Sequence, residues 1–166
     1  MTVLAQLPVQ GKTVTLRRAA AEDVPAIVGL LAADQLGATR DSVSSDEDLQ
    51  PYLDAFGAID ADPAHLLLVA ADDCEQVLAT MQLSFLPGLA RRGALRAQIE
   101  AVRVRDDHRS RGLGAALFHW AIEEARRRQC ALVQLTTDKS RADAHRFYER
   151  LGFVASHEGL KLKLLR

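Results

Sequence analysis

A short strand, a basic turn and a helix opened by glycines follow one another at residues 99–117, and this order restricts the fold most. Arg109 and Arg111 stand where the positive end of the helix dipole makes cations mildly unfavourable. Gly112 and Gly114 each lower helix propensity by roughly 1 kcal/mol relative to alanine. Both features become favourable when the turn wraps an anion, because glycines let the backbone approach and free N–H groups point outward. The segment therefore predicts a phosphate or pyrophosphate site.

An ordinary strand-to-helix turn with solvated arginines is the alternative for this segment. A dinucleotide-binding fingerprint is excluded, because it needs a third glycine and Leu117 stands at that position. A phosphate compound bound at this turn would therefore be held by a different kind of phosphate-binding motif.

Length and composition predict a single globular domain over residues 1–166, since 48% of the residues are hydrophobic and 26% are charged. Cys74 and Cys130 have no ligand-like spacing, so we expect reduced thiols and no metal site. No apolar stretch approaches membrane-spanning length, and the net charge of −1 argues against general nucleic-acid binding. These features predict a cytoplasmic protein that binds neither membrane nor nucleic acid.

Charge is unevenly distributed along the chain. Residues 19–75 carry thirteen Asp and Glu against the single Arg40, whereas residues 91–128 carry ten Arg against five Asp and Glu. The basic segment suits an anionic cofactor. The acidic segment is either a pocket lining for a cationic substrate or a solvated surface on two helices.

Hydrophobic periodicity predicts alternating strands and helices, and hence one α/β domain. Gly37 and Gly152 are predicted helix stops. Loops are predicted at residues 36–45 and 87–93. Strands are predicted at residues 13–18, 65–71, 76–85, 95–104 and 132–135, with a closing hairpin of residues 153–155 and 160–164, and helices at residues 22–33, 46–59, 112–128 and 142–151.

Two motifs follow one another along the chain: Arg109–Gly114 reads Arg-Ser-Arg-Gly-Leu-Gly, and Ala144–Phe153 reads Ala-His-Arg-Phe-Tyr-Glu-Arg-Leu-Gly-Phe. They resemble the GNAT family of N-acetyltransferases, whose signatures are Arg/Gln-x-x-Gly-x-Gly/Ala and Ala-x-x-Phe-Tyr-x-x-Leu-Gly-Phe. The order of elements agrees over nearly all of the chain. The resemblance implies a mixed, mostly antiparallel sheet of six to seven strands, with a V-shaped split between the fourth and fifth and about four flanking helices.

The resemblance also implies acetyl-CoA as cosubstrate, bound in the split. Backbone N–H groups of the turn would hold the pyrophosphate, and Val102–Val104 would pair with the pantetheine arm like an added strand. One N–H group of that strand would also polarise the thioester carbonyl. The predicted cofactor-binding residues are Val102, Arg103, Val104, Arg109, Ser110, Arg111, Gly112, Leu113, Gly114 and Ala115.

Two side chains are candidates for the acid–base chemistry. Strand alternation places Glu100 on one face with Gln98, Val102 and Val104, where partial desolvation would suit a proton acceptor. A surface glutamate paired with a neighbour such as Arg96 is the alternative. Tyr148 lies at the family's general-acid position and would protonate the CoA thiolate.

The alternative for Tyr148 is an aromatic residue packed in the core. Arg141 stands where many family members have Asn, and it receives no assigned role. The sequence thus predicts an acetyl-CoA-dependent N-acetyltransferase acting on a primary amine. A non-catalytic acyl-CoA-binding regulatory module and a general phosphate-binding domain are the alternatives. Residues 160–164 could equally join a homodimer or form an intramolecular edge.

Overall fold

A computed structural model describes residues 2–33 and 46–164, which form a mixed α/β fold. In these ranges the strands make one sheet of six, in the order β1-β2-β3-β4-β5-β6. The strands are β1 Val3–Val9, β2 Lys12–Arg18, β3 His65–Ala71, β4 Val77–Leu86, β5 Arg96–Val104 and β6 Leu132–Leu135. The helices are α1 Val24–Ala32, α2 Asp46–Ala61, the short α3 Ala90–Gly93, α4 Leu113–Arg127 and α5 Ala142–Arg150.

The chain divides into two compact units, residues 1–134 and 135–166. The first unit contains β1 to β5, which pair antiparallel in sequence order. The second contains α5. The predicted mixed, mostly antiparallel sheet is therefore confirmed, with six strands in the described ranges.

Strand β1 is a feature that the sequence analysis missed, because Gln6 and Pro8 interrupt its apolar pattern. It forms a hairpin with β2 through Gln10 and Gly11, whose φ values of 48° and 77° suit a two-residue turn. Gly11 also starts a Gly-Lys-Thr tripeptide of the kind found in P-loops, but a strand follows it and not a helix.

The two faces of the sheet are covered by different helices. Val69 of β3 packs with Ile27 of α1 and Phe56 of α2, and it pairs in register with Thr80 of β4. Alternation then places Gln82 and Ser84 on this same face, which we call the α1 face.

The opposite face carries Met81 and Leu83, both fully buried. Helix α4 contacts β1, β4 and β5. At its end the Arg128 guanidinium lies 4.0 Å above the ring of Phe85, a residue with the same alternation as Met81. Helix α4 therefore covers this second face.

A buried ion pair fixes the start of α1. The Arg17 guanidinium donates to both carboxylate oxygens of Asp23, at 2.6 Å and 2.9 Å, and the Ala20 N–H donates to the same carboxylate at 2.7 Å. Burial alone would raise the pKa of Asp23, but the hydrogen bonds from Arg17 and Ala20 outweigh it and lower the pKa. The pair joins β2 to the turn before α1.

Most predicted elements are confirmed, including the end of α5 at Gly152, whose φ is 89° and whose N–H donates to Glu149 O. The predicted closing hairpin is wrong for the described part of the chain, since residues 153–164 contain no strand there. Alternating leucine and lysine side chains specify two faces, but a strand also needs a hydrogen-bonding partner. The predicted stop at Gly37 and loop 36–45 lie outside the described residues.

Candidate active site

The turn before α4 exposes backbone donors. Ser110 and Gly112 have φ values of 58° and 91°, and Gly112 is the N-terminal cap residue, with no side-chain cap hydrogen bond. The first bond into the helix runs from Ala116 N–H to Gly112 O. Helix geometry therefore leaves the N–H groups of Leu113, Gly114 and Ala115 without intrahelical acceptors, at the positive end of the dipole. This arrangement suits an anionic group such as a phosphate or diphosphate.

The two arginines of the turn differ in their partners. Arg109 donates through Nε to Val104 O at 3.2 Å, and its Nη2 lies 2.8 Å from an Asp106 carboxylate oxygen. Arg111 is exposed and makes no hydrogen bond or ion pair within the described ranges. Arg109 thus ties the turn to the end of β5, whereas Arg111 keeps its charge available for a ligand.

A second charged network, which the sequence analysis missed, supports the same turn. Arg105 donates to both oxygens of Asp107, at 2.7 Å and 3.0 Å, and His108 Nδ1 lies 2.8 Å from that carboxylate. These bonds, that from Arg105 first, lower the pKa of Asp107. The network keeps the loop compact between β5 and the turn. The clustering of basic and acidic residues at 105–109 was the signal available in the sequence.

Strand β5 contains a bulge at Ala101, whose φ is 52°. Thr80 pairs with Arg103 and Gln82 with Glu100, so two residue steps along β4 oppose three residue steps along β5. Because Thr80 and Gln82 lie on the α1 face, their partners Arg103 and Glu100 lie there too. Val104 pairs with Ala79 and lies on the opposite face.

The prediction that Glu100 shares a face with Val104 is therefore wrong, because the extra residue inverts the alternation. Glu100 is also exposed, so the predicted partial desolvation is absent. Neither Glu100 nor Arg96 makes an ion pair within the described chain, which removes the predicted alternative of a Glu100–Arg96 pair. Glu100 lies on the α1 face with Gln98, the partner of Ser84.

Within the described residues, the second edge of β5 has hydrogen-bond contacts near its start. Ala131 N–H donates to Leu95 O at 2.8 Å, and Gln134 Nε2 donates to Gln98 Oε1 at 2.7 Å. These two contacts lie at Leu95 and Gln98, at and before the middle of β5. Val102–Val104 lie beyond them, in the second half of the strand, where an extended chain can add main-chain hydrogen bonds to a strand edge.

Tyr148 lies in α5, in the second unit. Its ring makes edge contacts with Phe147 and Phe153, at centroid distances of 5.5 Å and 6.1 Å. The side chain is half-buried. Arg141 is the cap residue of this helix, without a side-chain cap hydrogen bond, and its N–H donates to Asp138 O.

A row of polar side chains on the α1 face was not predicted. His65 pairs with Ser84, Ser84 pairs with Gln98, and Gln98 is hydrogen-bonded to Gln134. His65 Nδ1 lies 2.8 Å from Ser84 Oγ. Isolated polar residues at alternate positions of apolar strands were the available signal.

The described ranges contain no group of three or more His, Cys, Asp or Glu side chains that could hold a metal ion. None of their helices is long and apolar enough to cross a membrane.

Comparison with known proteins identifies the family to which the chain belongs. The acetyltransferase (GNAT) family matches residues 30–153, and the chain belongs to this family. It is 30% identical over 143 residues, 86% of each chain, to an aminoalkylphosphonate N-acetyltransferase of Salmonella typhimurium.

Solved structures agree with this assignment. A protein described as a transcriptional regulator from Bacillus halodurans C-125 is 44% identical, with a TM-score of 0.86 over 91% of this chain and 99% of its own. An acetyltransferase of Trypanosoma brucei is 25% identical, with a TM-score of 0.72 over 91% of this chain and 99% of its own.

Proposed function

We propose that the chain is an acetyl-CoA-dependent N-acetyltransferase that acetylates a primary amine of a small molecule in the cytoplasm. The observation that carries the proposal is the order of three candidate sites along one segment of the chain. Glu100, the open edge at Val102–Val104 and the free N–H groups at the start of α4 follow one another within sixteen residues, 100–115. A thioester bound along this segment would pass Glu100 at its reactive end.

The cosubstrate would be held mainly by backbone. The diphosphate would accept hydrogen bonds from the N–H groups of Gly112, Leu113, Gly114 and Ala115, with Ser110 shaping the turn and Arg111 supplying charge. The pantetheine amides would pair with Val102, Arg103 and Val104. Arg109 would act on this site through its bonds to Val104 O and Asp106.

The reaction would be direct attack of the amine nitrogen on the thioester carbon. An alkylammonium has a pKa of about 10.4, so a proton must leave it before attack. Glu100 would accept this proton, directly or through water, and its exposed carboxylate is open to both routes. The C–N bond would form and the C–S bond would break, with Tyr148 donating its phenolic proton to the departing sulfur. The second proton, released from the nitrogen as the amide forms, would return to the Tyr148 phenolate directly or through water.

The acceptor class is proposed from two features. The excess of acidic residues at 19–75 favours acceptors with a positive charge, such as polyamines, aminoglycosides or amino-acid derivatives. The activity named for the Salmonella relative adds aminoalkylphosphonates to the compounds to be tested. A protein N-terminus is a further member of the same reaction class.

A regulatory module that binds acyl-CoA without turnover is the second candidate. It is favoured by the description of the Bacillus halodurans relative as a transcriptional regulator. Two measurements separate the candidates: CoA release over a panel of primary amines, with mass spectrometry of the products, and calorimetric binding of CoA. Acetylated products support the enzyme, CoA binding without turnover supports the module, and absence of CoA binding contradicts both.

A further inference from the structure

Gln98 and Gln134, both in the first unit, are joined by one hydrogen bond that leaves a further donor group and a further acceptor atom on the two side chains. Each side-chain amide carries an NH2 donor group and an oxygen acceptor. The bond between them uses Nε2 of Gln134 and Oε1 of Gln98, at 2.7 Å. Within the described residues, Nε2 of Gln98 and Oε1 of Gln134 have no other partner.

One NH2 group and one oxygen are left over whichever way the two amides are oriented. If both amides are flipped, the bond runs the other way and one NH2 group and one oxygen are again left. The pair therefore always presents one donor and one acceptor side by side. Both side chains are half-buried, so these groups lie at a surface that a small molecule can reach.

The surrounding sheet holds Gln98 in place. Its cross-strand neighbour Ser84 is buried, and the Ser84 hydroxyl is fixed by His65 Nδ1 at 2.8 Å. Toward the middle of the sheet the same face is apolar at Val69 and Leu78. Packing of the core therefore does not require amides at the junction of β5 and β6.

Glu100 lies on the same face, two residues further along β5. A strand rises about 3.4 Å per residue, so the Cα atoms of Gln98 and Glu100 are about 7 Å apart. A molecule with its amine at Glu100 would extend a second group to the amide pair over four or five bonds.

We propose that the Gln98–Gln134 pair binds the acceptor and selects amines that carry a hydroxyl or primary amide group about 7 Å from the nitrogen. Such a group accepts from Gln98 Nε2 and donates to Gln134 Oε1, so it satisfies both amides, whereas an alkyl group leaves them unpaired. This inference rests on the proposed function and names its substrate class.

The test uses three acceptors of equal length: aminobutanol, pentylamine and diaminobutane. Steady-state CoA release is measured with the full-length protein and with Gln98→Leu and Gln134→Leu. Each variant should raise KM for aminobutanol about three- to tenfold, as expected for the loss of one hydrogen bond, and leave KM for pentylamine unchanged. KM for acetyl-CoA should stay constant.

Gln98→Glu is a gain-of-function variant. The new carboxylate should lower KM for diaminobutane about tenfold, because a charged hydrogen bond is stronger than a neutral one. Gln6→Leu is the matched control, since it removes a side-chain bond, Thr15 Oγ1 to Gln6 at 3.2 Å, at the opposite edge of the sheet.

The outcomes are distinguishable. If the leucine variants affect aminobutanol and pentylamine equally, or if Gln98→Glu leaves the order of acceptors unchanged, the amide pair does not bind the acceptor and the inference fails alone. If the unmodified protein releases no CoA with any amine, the proposed function fails and this inference fails with it. Thermal unfolding of each variant identifies any that fail to fold, and Gln98→Glu then carries the test.

Discussion

Glu100 and Arg103 lie on the same face of the sheet although they are three residues apart in one strand. A regular strand would place them on opposite faces. The residue that changes this is Ala101, which adopts a left-handed conformation with φ of 52°. The bulge brings Glu100, just before the strand edge that is proposed to bind the cosubstrate, and Arg103, within that edge, to one face.

Substitution of Ala101 tests whether the bulge is strained. Left-handed backbone costs about 1–2 kcal/mol for a residue with a Cβ atom, so Ala101→Gly should raise the free energy of unfolding, by up to about 1 kcal/mol after chain entropy is counted. Ala101→Val should lower it. Urea unfolding measures both. Ala97→Gly is the matched control in the same strand, and it should be destabilising because Ala97 is buried in extended backbone.

Replacement of Glu100 tests its role as the base. Glu100→Gln should lower kcat by about 10²–10⁴. The loss should be largest below neutral pH, where the fraction of free amine is smallest. A pH–rate profile from about pH 6 to pH 9 checks this. Glu123→Gln, a surface substitution on α4, should leave the profile unchanged. Identical profiles for Glu100→Gln and the unmodified protein would exclude this role.

The two arginines of the turn should give different phenotypes. Arg111→Ala should raise KM for acetyl-CoA about tenfold or more, with no change in Tm, because its charge has no partner within the described chain. Arg109→Ala should also lower Tm, since it removes bonds to Val104 O and Asp106. Arg92→Ala is the control for exposed charge. Equal effects of Arg111→Ala and Arg92→Ala on KM would contradict the phosphate site.

Tyr148→Phe separates a proton donor from a packed aromatic. It keeps the ring contacts with Phe147 and Phe153 and removes only the hydroxyl. Turnover should fall while the Kd of CoA stays nearly constant. The other tyrosine of the chain provides the matched control, Tyr52→Phe. A weaker Kd with normal kcat would show that the hydroxyl binds CoA.

The Arg17–Asp23 pair predicts acid sensitivity. The pKa of Asp23 is lowered in the folded state, so the pair stabilises fully above the unfolded value of about 3.9. This stabilisation is lost as pH falls through the lower, folded pKa. Asp23→Ala should cost about 3–5 kcal/mol at pH 7, because it leaves Arg17 buried without its main partner.

The control for this pair is Asp60→Ala. Asp60 Oδ1 lies 3.4 Å from Arg18 Nη2 on the surface. Removal of this ion pair should lower the free energy of unfolding by less than about 1 kcal/mol. Urea unfolding between about pH 2 and pH 7 measures both. If Asp23→Ala and Asp60→Ala lower the free energy of unfolding equally, the buried Arg17–Asp23 pair contributes no more to stability than the surface pair.

Sequence reasoning worked where local patterns decide structure. The helix start at Gly112 and the helix stop at Gly152 are single-residue signals, and both agree with the structure. It could not predict the bulge, because nothing marks Ala101 as left-handed and alanine rarely adopts that conformation. One unmarked residue therefore inverted the predicted faces of β5, and the Gln98–Gln134 pair was hidden because it depends on contact between distant strands.

The position of Pro8 in β1 affects whether the edge of the sheet can pair with a strand of another molecule in solution. Val9 and Lys12 close the two-residue turn as a hydrogen-bonded pair, so the next pair, Pro8 and Thr13, is non-hydrogen-bonded. The ring nitrogen of Pro8 then faces outward, where an incoming strand would need an N–H donor. The free edge of the sheet is thereby protected against edge-to-edge aggregation at high concentration. Pro8 should therefore be retained in any variant made for crystallisation or storage.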